Sequence, residues 1–410
     1  MSLIFVILCF FLKILRMKHV GRLMKSNDNL HPHLFIFAGE PSGDLHGAHL
    51  VKAFKELYPS CWFSGVAGPA LREEGIVNIM PMEKFAVMGF SDVIKALPSL
   101  YKQFYYIRDY VLSTCPELVI FIDYPGFNLR MARALRKAGY KGKLVHYICP
   151  SVWAWGKKRI QHMAKTLDML LTIYPFENIS FKPTSLKVQY VGNPLQEYIS
   201  QHLYAPSWKS RFCPPEHLLI SIFPGSREAE IKNNLSKQLE AALLFQKENP
   251  STAFGISCSN ASLKPLIEKI LKKHRLLHAF IVDKAHTYDL MRNSHSAIAK
   301  SGTVTLELAL HCCPTVVVYQ LSTLNWLIAK FIIKLNLPYY CIVNILTGQR
   351  LFPELIAEGF TPKKVAKELE DIHAGSSRAR CLEGCQQIVE LFQGTHASQN
   401  AAQAIHSLLS

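Results

Sequence analysis

Residues 116–129 read Pro-Glu-Leu-Val-Ile-Phe-Ile-Asp-Tyr-Pro-Gly-Phe-Asn-Leu. From Leu118 to Ile122 every residue is bulky and apolar, and the run is bounded by Pro116 and by Pro125-Gly126, so the segment predicts a buried parallel strand rather than a helix. The strand stops at an acid. Ligands of open α/β sheets bind at the carboxyl ends of the strands, which makes Asp123 a candidate base or ligand group; capping of the next helix or turn is the competing reading.

The same unit recurs on both sides. Leu34 to Ala38 is a second buried strand, and it runs into Gly39-Glu40-Pro41-Ser42-Gly43-Asp44 and then into a helical period through Leu50, Ala53, Phe54 and Leu57. In a strand, glycine-rich turn and helix of this kind, backbone N–H groups face an anion or sugar hydroxyls. The turn is neither a dinucleotide fingerprint nor a P-loop, so neither a dinucleotide nor ATP is specifically implied, and Ser42 or Asp44 as a plain helix cap is an equal reading. Further strands are expected at 62–67, 144–148, 170–174 and 188–191. The one at 144–148 ends in Cys149-Pro150-Ser151-Val152-Trp153-Ala154-Trp155, where two tryptophans form either a rigid binding wall or ordinary core packing.

A second series begins at Leu218. The strand 218–223 meets Pro224-Gly225-Ser226-Arg227, and Arg227 offers a planar, bidentate donor to phosphate oxygens. Residues 297–300 run into Ser301-Gly302-Thr303 and a helix start, a turn that points N–H groups at a diphosphate. Glu307, one turn into that helix, either reaches ribose hydroxyls or completes a capping box. Strand-then-turn repeats of this kind mark parallel sheets. The expected fold is α/β, with two Rossmann-like domains facing across a cleft. The expected domains are an apolar and basic extension (1–30), an acceptor domain (31–205), a nucleotide domain (206–365) and C-terminal helices (366–410) packing back on an N-terminal domain. The linker is placed in the proline-bearing stretch 203–217.

Composition narrows the partners. The chain has 410 residues, 49% hydrophobic and 19% charged, enough apolar material for two cores and too much for disorder. Lys+Arg 46 against Asp+Glu 30 leaves +16, which favours a phosphorylated metabolite, an acidic membrane face or nucleic acid. Dispersed basic residues and the lack of any nucleic-acid-binding signature make nucleic acid the weakest of the three. The 11 cysteines lie scattered in apolar contexts without a Cys-x-x-Cys pair, so reduced thiols are expected and zinc is not.

Three stretches are more apolar than a surface helix needs. Residues 85–107 and 324–335 interleave lysines or arginines with large apolar side chains, which suits an acyl-chain groove, a membrane interface or a dimer contact as well as a core. Residues 3–12 are continuously apolar but short for a span and lack a signal-peptide cleavage site. They read as an interfacial anchor, an atypical signal anchor, or codons upstream of a true start at Met17 or Met24; the last is preferred.

A strand-end acid in one half, with a diphosphate turn and an arginine in the other, describes a nucleotide-sugar enzyme. No Asp-x-Asp occurs, so neither a metal nor an organic cofactor is called for; the 301–303 turn and Arg227 would hold the leaving diphosphate. Asp123 would deprotonate an acceptor hydroxyl for an inverting displacement.

The ordered series Ala38-Gly39-Glu40-Pro41-Ser42-Gly43-Asp44, Val66-Ala67-Gly68-Pro69, Ala86-Val87-Met88-Gly89, Ile122-Asp123-Tyr124-Pro125-Gly126-Phe127-Asn128, Pro150 to Trp155, Pro175-Phe176-Glu177, Pro224-Gly225-Ser226-Arg227-Glu228 and Ser301-Gly302-Thr303 through Glu307 resembles lipid-A-disaccharide synthases over about residues 33–360. The resemblance implies a GT-B glycosyltransferase joining UDP-2,3-diacylglucosamine to 2,3-diacylglucosamine 1-phosphate through a β-1′,6 linkage, with release of UDP. It implies Asp123 as the catalytic acid/base, and acceptor contacts at Gly39, Ser42, Gly43, Asp44, Met88, Gly89, Asn128, Ser151 and Trp153. On the UDP side it implies Gly225, Ser226, Arg227, Ser301, Gly302, Thr303, Glu307 and Asn344. It also implies acyl chains and an anionic membrane surface for the apolar basic stretches, and a cytoplasmic, peripheral place on the inner membrane of a Gram-negative bacterium; a homodimer is left open. The chain departs from the pattern at Pro41, at Gly126, which leaves Asp123 the only acid of its motif, and at Asn193, where a histidine is common. The competing functions are another GT-B UDP-sugar enzyme, such as a UDP-GlcNAc epimerase or a lipid-linked wall glycosyltransferase, and a non-enzymatic, basic membrane-associated protein.

Overall fold

The computed structural model describes residues 31–85, 90–153, 156, 158–320 and 337–409, with the backbone alone for 90–97. The chain divides into two compact units, Met1–Pro194 with Thr395–Ser410, and Leu195–Gly394. Both are parallel α/β sheets.

The first unit runs β1 (His33–Ala38), α1 (Pro41–Leu57), β2 (Trp62–Ala67), α2 (Pro69–Glu73), β3 (Val77–Pro81), α3 (Phe90–Thr114), β4 (Leu118–Ile122), α4 (Pro125–Lys137), β5 (Lys143–Tyr147), α5 (Lys158–Thr166), β6 (Met169–Thr172) and β7 (Lys187–Tyr190), before α6 (Pro194–Gln201) leads out of it. Its seven strands lie in the order β3-β2-β1-β4-β5-β6-β7. The wholly apolar reading of β4 has a simple cause: both faces of the strand are covered. Leu118, Ile120 and Ile122 join one core with Leu34 and Ile36, while Val119 and Phe121 join the opposite core with Phe35 and Phe37. Strand order reverses between β1 and β4, which pair with Ala38 beside Ile122. Asp123 therefore follows the strand that flanks the topological switch point, where such sheets open a crevice.

The second unit runs β8 (Leu218–Phe223), α7 (Glu228–Glu248), β9 (Thr252–Cys258), α8 (Lys264–His274), β10 (Ala279–Asp283), α9 (Thr287–Asn293), β11 (Ser296–Lys300), α10 (Val304–Leu310), β12 (Thr315–Tyr319), α11 (Ile342–Thr347), β13 (Glu354–Ile356), α12 (Pro362–Asp371) and α13 (Gly375–Phe392). Its sheet order, β10-β9-β8-β11-β12-β13, puts the reversal between β8 and β11, where Phe223 pairs with Ala299. The two turns after those strands are hence neighbours.

The units meet in sequence at 194/195, upstream of the expected linker. Residues 203–217 instead pack into the second unit: Trp208 is 1% exposed and lies with Cys213 in a core shared with Leu219 and Phe223. The expected C-terminal segment 366–410 is divided, with residues up to Gly394 in the second unit and the rest in the first. There α14 (Ala397–His406) packs on α1 and sends Ala401, Ala402 and Ile405 into the β1/β4 core. Residues 1–30, 86–89, 154–155, 157, 321–336 and 410 lie outside the described residues; they take in the whole of the apolar stretches 3–12 and 324–335, part of 85–107, and Trp155 of the expected tryptophan wall.

Candidate active site

Asp123 (φ +43°) and Tyr124 (φ +49°) both adopt the left-handed region that side chains avoid, at a cost of about 1–3 kcal/mol each. The turn is held by what surrounds it. The Asp123 N–H donates to the Tyr147 carbonyl at 3.0 Å, and the buried Asn128 amide donates to the carbonyls of Ile122 (3.3 Å) and Asp123. Asn128, expected at the acceptor, thus braces the turn with its amide nitrogen. Gly39 has a steric reason to be glycine: a Cβ there would lie 2.8 Å from the Tyr124 ring. Burial, and after it the charge of Glu40, push the Asp123 carboxyl up to about 6, against a hydrogen bond from the Tyr124 N–H. A carboxylate so poised is mostly ionised at neutral pH yet basic enough to take a proton. Phe127 stacks on Phe37 at 4.4 Å, with Phe85 and Phe104 edge-on around it, so an aromatic cluster packs directly under this turn.

The other residues expected at the acceptor separate into two groups. Ser42 is exposed and Gly43 buried at the start of α1. The Asp44 carboxylate accepts the N–H groups of Gly68 (2.7 Å), Ala70 (2.9 Å) and Leu71 (3.2 Å), so it caps α2, and the residue is 3% exposed. Ser151 is exposed after β5. Trp153 packs edge-on to Phe176 at 5.3 Å, beside Glu177, whose carboxyl accepts the N–H groups of Ile173 and Tyr174 and is pushed by burial up to about 8. Met88 and Gly89 lie outside the described residues.

In the second unit a single carboxylate ties the two expected phosphate turns together. Glu230 accepts the Ser226 N–H at 2.9 Å and pairs with Lys300 at 3.1 Å; burial raises its pKa, but Lys300, the Ser226 N–H and Arg227 together hold it below the usual range. Gly225 has φ +123°, and a Cβ there would meet Glu230 at 2.5 Å. The N–H groups of Ser226 and of Ser301, which donates to the Val318 carbonyl, are consequently engaged within the protein. The side chains of Ser226 and Arg227, with Gly302 and Thr303, are exposed at these turns. Glu307 accepts the Tyr288 hydroxyl at 3.2 Å, and burial raises its pKa.

Asn344 holds a loop. It is fully buried, exchanges both hydrogen bonds with the Phe352 backbone at 2.8 Å and donates to Glu354 at 2.6 Å, so its side chain clips the loop before β13. The same clip is continued by Glu354, which accepts the Tyr340 and Cys341 N–H groups.

Over residues 34–407 the sequence matches the lipid-A-disaccharide synthetase family. The chain belongs to that family. The lipid-A-disaccharide synthase of Chlamydia pneumoniae is 39% identical over 388 residues, covering 94% of this chain and 64% of that protein. That of Chlamydia trachomatis serovar D is 37% identical, covering 92% and 62%, so this chain spans less than two thirds of these chlamydial relatives. The Nitrosococcus oceani lipid-A-disaccharide synthase is 32% identical, with 87% of this chain covered and 91% of that protein. Among solved structures, a UDP-GlcNAc 2-epimerase from Neisseria meningitidis bound to UDP-GlcNAc superposes with a TM-score of 0.59 at 11% identity, covering 93% of this chain and 99% of that one. The calicheamicin glycosyltransferase CalG4 gives 0.58 at 10%, covering 92% and 98%. At such identities the likeness is one of fold, the two-domain GT-B type.

For this lipid-A-disaccharide synthetase family member, three side chains that sequence reasoning passed over stand at the two switch points: Glu40, Glu230 and Lys300. Each was visible as an acid or base within a few residues of a strand end, but its partner comes from a neighbouring strand or from the next turn.

Proposed function

We propose that the chain is an inverting glycosyltransferase that joins UDP-2,3-diacylglucosamine to 2,3-diacylglucosamine 1-phosphate, with Asp123 as general base. The observation that carries this reading is the Asp123 carboxyl, at the switch point of a parallel sheet, with an acidity moved to about 6. As the acceptor 6-hydroxyl attacks the donor's anomeric carbon, Asp123 takes its proton. The new carbon–oxygen bond forms as the bond to the diphosphate breaks from the opposite face, giving the β-1′,6 disaccharide and UDP. Arg227 and Lys300 supply positive charge for the departing diphosphate, and Glu307 accepts ribose hydroxyls.

In α3 the exposed Tyr101, with Lys102 beside it and Arg108 over the Tyr105 ring at 4.4 Å, suits the headgroups of an anionic membrane, so the reading includes a peripheral place on the cytoplasmic face of a Gram-negative inner membrane. Among the described residues no helix is long and apolar enough to cross a membrane.

The test is incubation of the full chain with both diacylated sugars, with mass detection of disaccharide and UDP. Asp123→Asn should lower the transfer rate at least about a thousandfold while leaving UDP affinity within about twofold. Near-normal disaccharide formation by that variant overturns the base assignment, and no disaccharide from the unaltered chain overturns the reaction.

A further inference from the structure

We propose that Tyr288 is a positioning residue that gives the nucleotide half its preference for an intact ribose by fixing the Glu307 carboxylate. This rests on the reading of Glu307 as the partner of the ribose hydroxyls.

Glu307 is gripped at both ends. Its Oε1 accepts the Tyr288 hydroxyl at 3.2 Å, and its main-chain carbonyl accepts the His311 Nδ1–H at 2.6 Å. The second contact settles the imidazole: burial lowers the His311 pKa to about 4, so the ring is neutral, with its proton on Nδ1. Nε2 is then an acceptor, and the Tyr204 hydroxyl donates to it at 3.0 Å. Tyr204 is itself covered by the Arg292 guanidinium at 4.3 Å, and the next residue is pinned where the Ala205 N–H donates to the buried Asp289 at 2.8 Å.

Tyr288 sits inside this frame. His202 meets its ring edge-on at 5.2 Å, and His311 packs against it at 5.2 Å. Burial, and then Glu307, hold its hydroxyl protonated, so the phenol stays a donor. A half-buried carboxylate with no such donor would be free to rotate and easier to protonate, and would be a poorer acceptor for a diol. With Oε1 held, the carboxylate is preorganised to receive hydroxyl groups. The motif reading of the sequence contains none of this frame, because Tyr288 precedes the 301–303 turn by a strand and reaches Glu307 through its own side chain, which also meets the His311 ring.

The experiment measures the affinity of the full chain for UDP and for 2′,3′-dideoxy-UDP by calorimetry, in the unaltered protein, Tyr288→Phe and Glu307→Gln. The unaltered chain should prefer UDP. Tyr288→Phe should weaken UDP about tenfold while leaving dideoxy-UDP within about twofold, the amount one hydrogen bond to a charged group supplies. Retained dideoxy-UDP binding reports that the pocket is folded. If Tyr288→Phe weakens both nucleotides alike, or neither, the role proposed for Tyr288 is overturned. If Glu307→Gln loses the preference and Tyr288→Phe keeps it, this inference alone falls. If Glu307→Gln keeps the preference, the reading of Glu307 falls with it.

Discussion

At Asp123 two influences act in one direction, burial first and then the charge of Glu40, and the second can be removed without touching the first. Glu40→Gln should move the acid limb of kcat/KM down from about pH 6 by roughly half to one unit, read from a pH–rate profile; an unmoved limb would mean that Asp123 does not sense Glu40. The same acidity has a stability consequence. Because the folded pKa lies above the ordinary 3.8, the contribution is fully present below that value and is lost as pH rises through about 6. Asp123→Asn should accordingly melt higher than the unaltered chain at pH 8, by the equivalent of about 1–2 kcal/mol, and the gap should narrow towards pH 4. The sequence showed Asp123 as an acid at a strand end, which is a local fact. It could not show Glu40 beside it, because that depends on β1 pairing with β4 in the register that sets Ala38 against Ile122.

Strands such as β4 and β8 were legible because a strand covered on both faces must be apolar throughout, and a continuous run bounded by proline or glycine has few other solutions. Polar residues that hold elements together were not. Asp44 lies in α1 yet caps α2, 24 residues further on, and a cap of that reach leaves no local pattern. Asn344 clips the loop before β13 by exchanging hydrogen bonds with the Phe352 backbone. The turn after β8 shows what such a contact demands of its neighbours. Gly225 must be glycine both for its backbone and for the space that Glu230 fills. Gly225→Ala should therefore cost the second unit about 2–3 kcal/mol, seen as a lower denaturation midpoint, and should weaken UDP binding by displacing Glu230 from Ser226 and Lys300. Unchanged stability would show that the turn relaxes without using Glu230.

The division of the whole chain places a long-range demand on its last residues. Having built the second unit, the chain returns to the first, where the Asn400 amide donates to the Val191 carbonyl at 3.0 Å and a Cβ on Gly192 would collide with Thr395. Ile405, with no exposed surface, packs in the same core as Leu34, Ile36 and Ile122, the side chains that carry the Asp123 turn. Replacing it leaves a cavity beneath β1 and β4, so Ile405→Ala should destabilise the first unit by about 2–4 kcal/mol. Amide hydrogen exchange resolves where that loss falls. Protection should drop in β1, β4 and α1 while β8 and β11 keep theirs, since their core shares no side chain with this one. Equal loss of protection in β8 and β11 would mean that the two units unfold as one, and that the last helix stabilises the whole chain rather than the half it packs into.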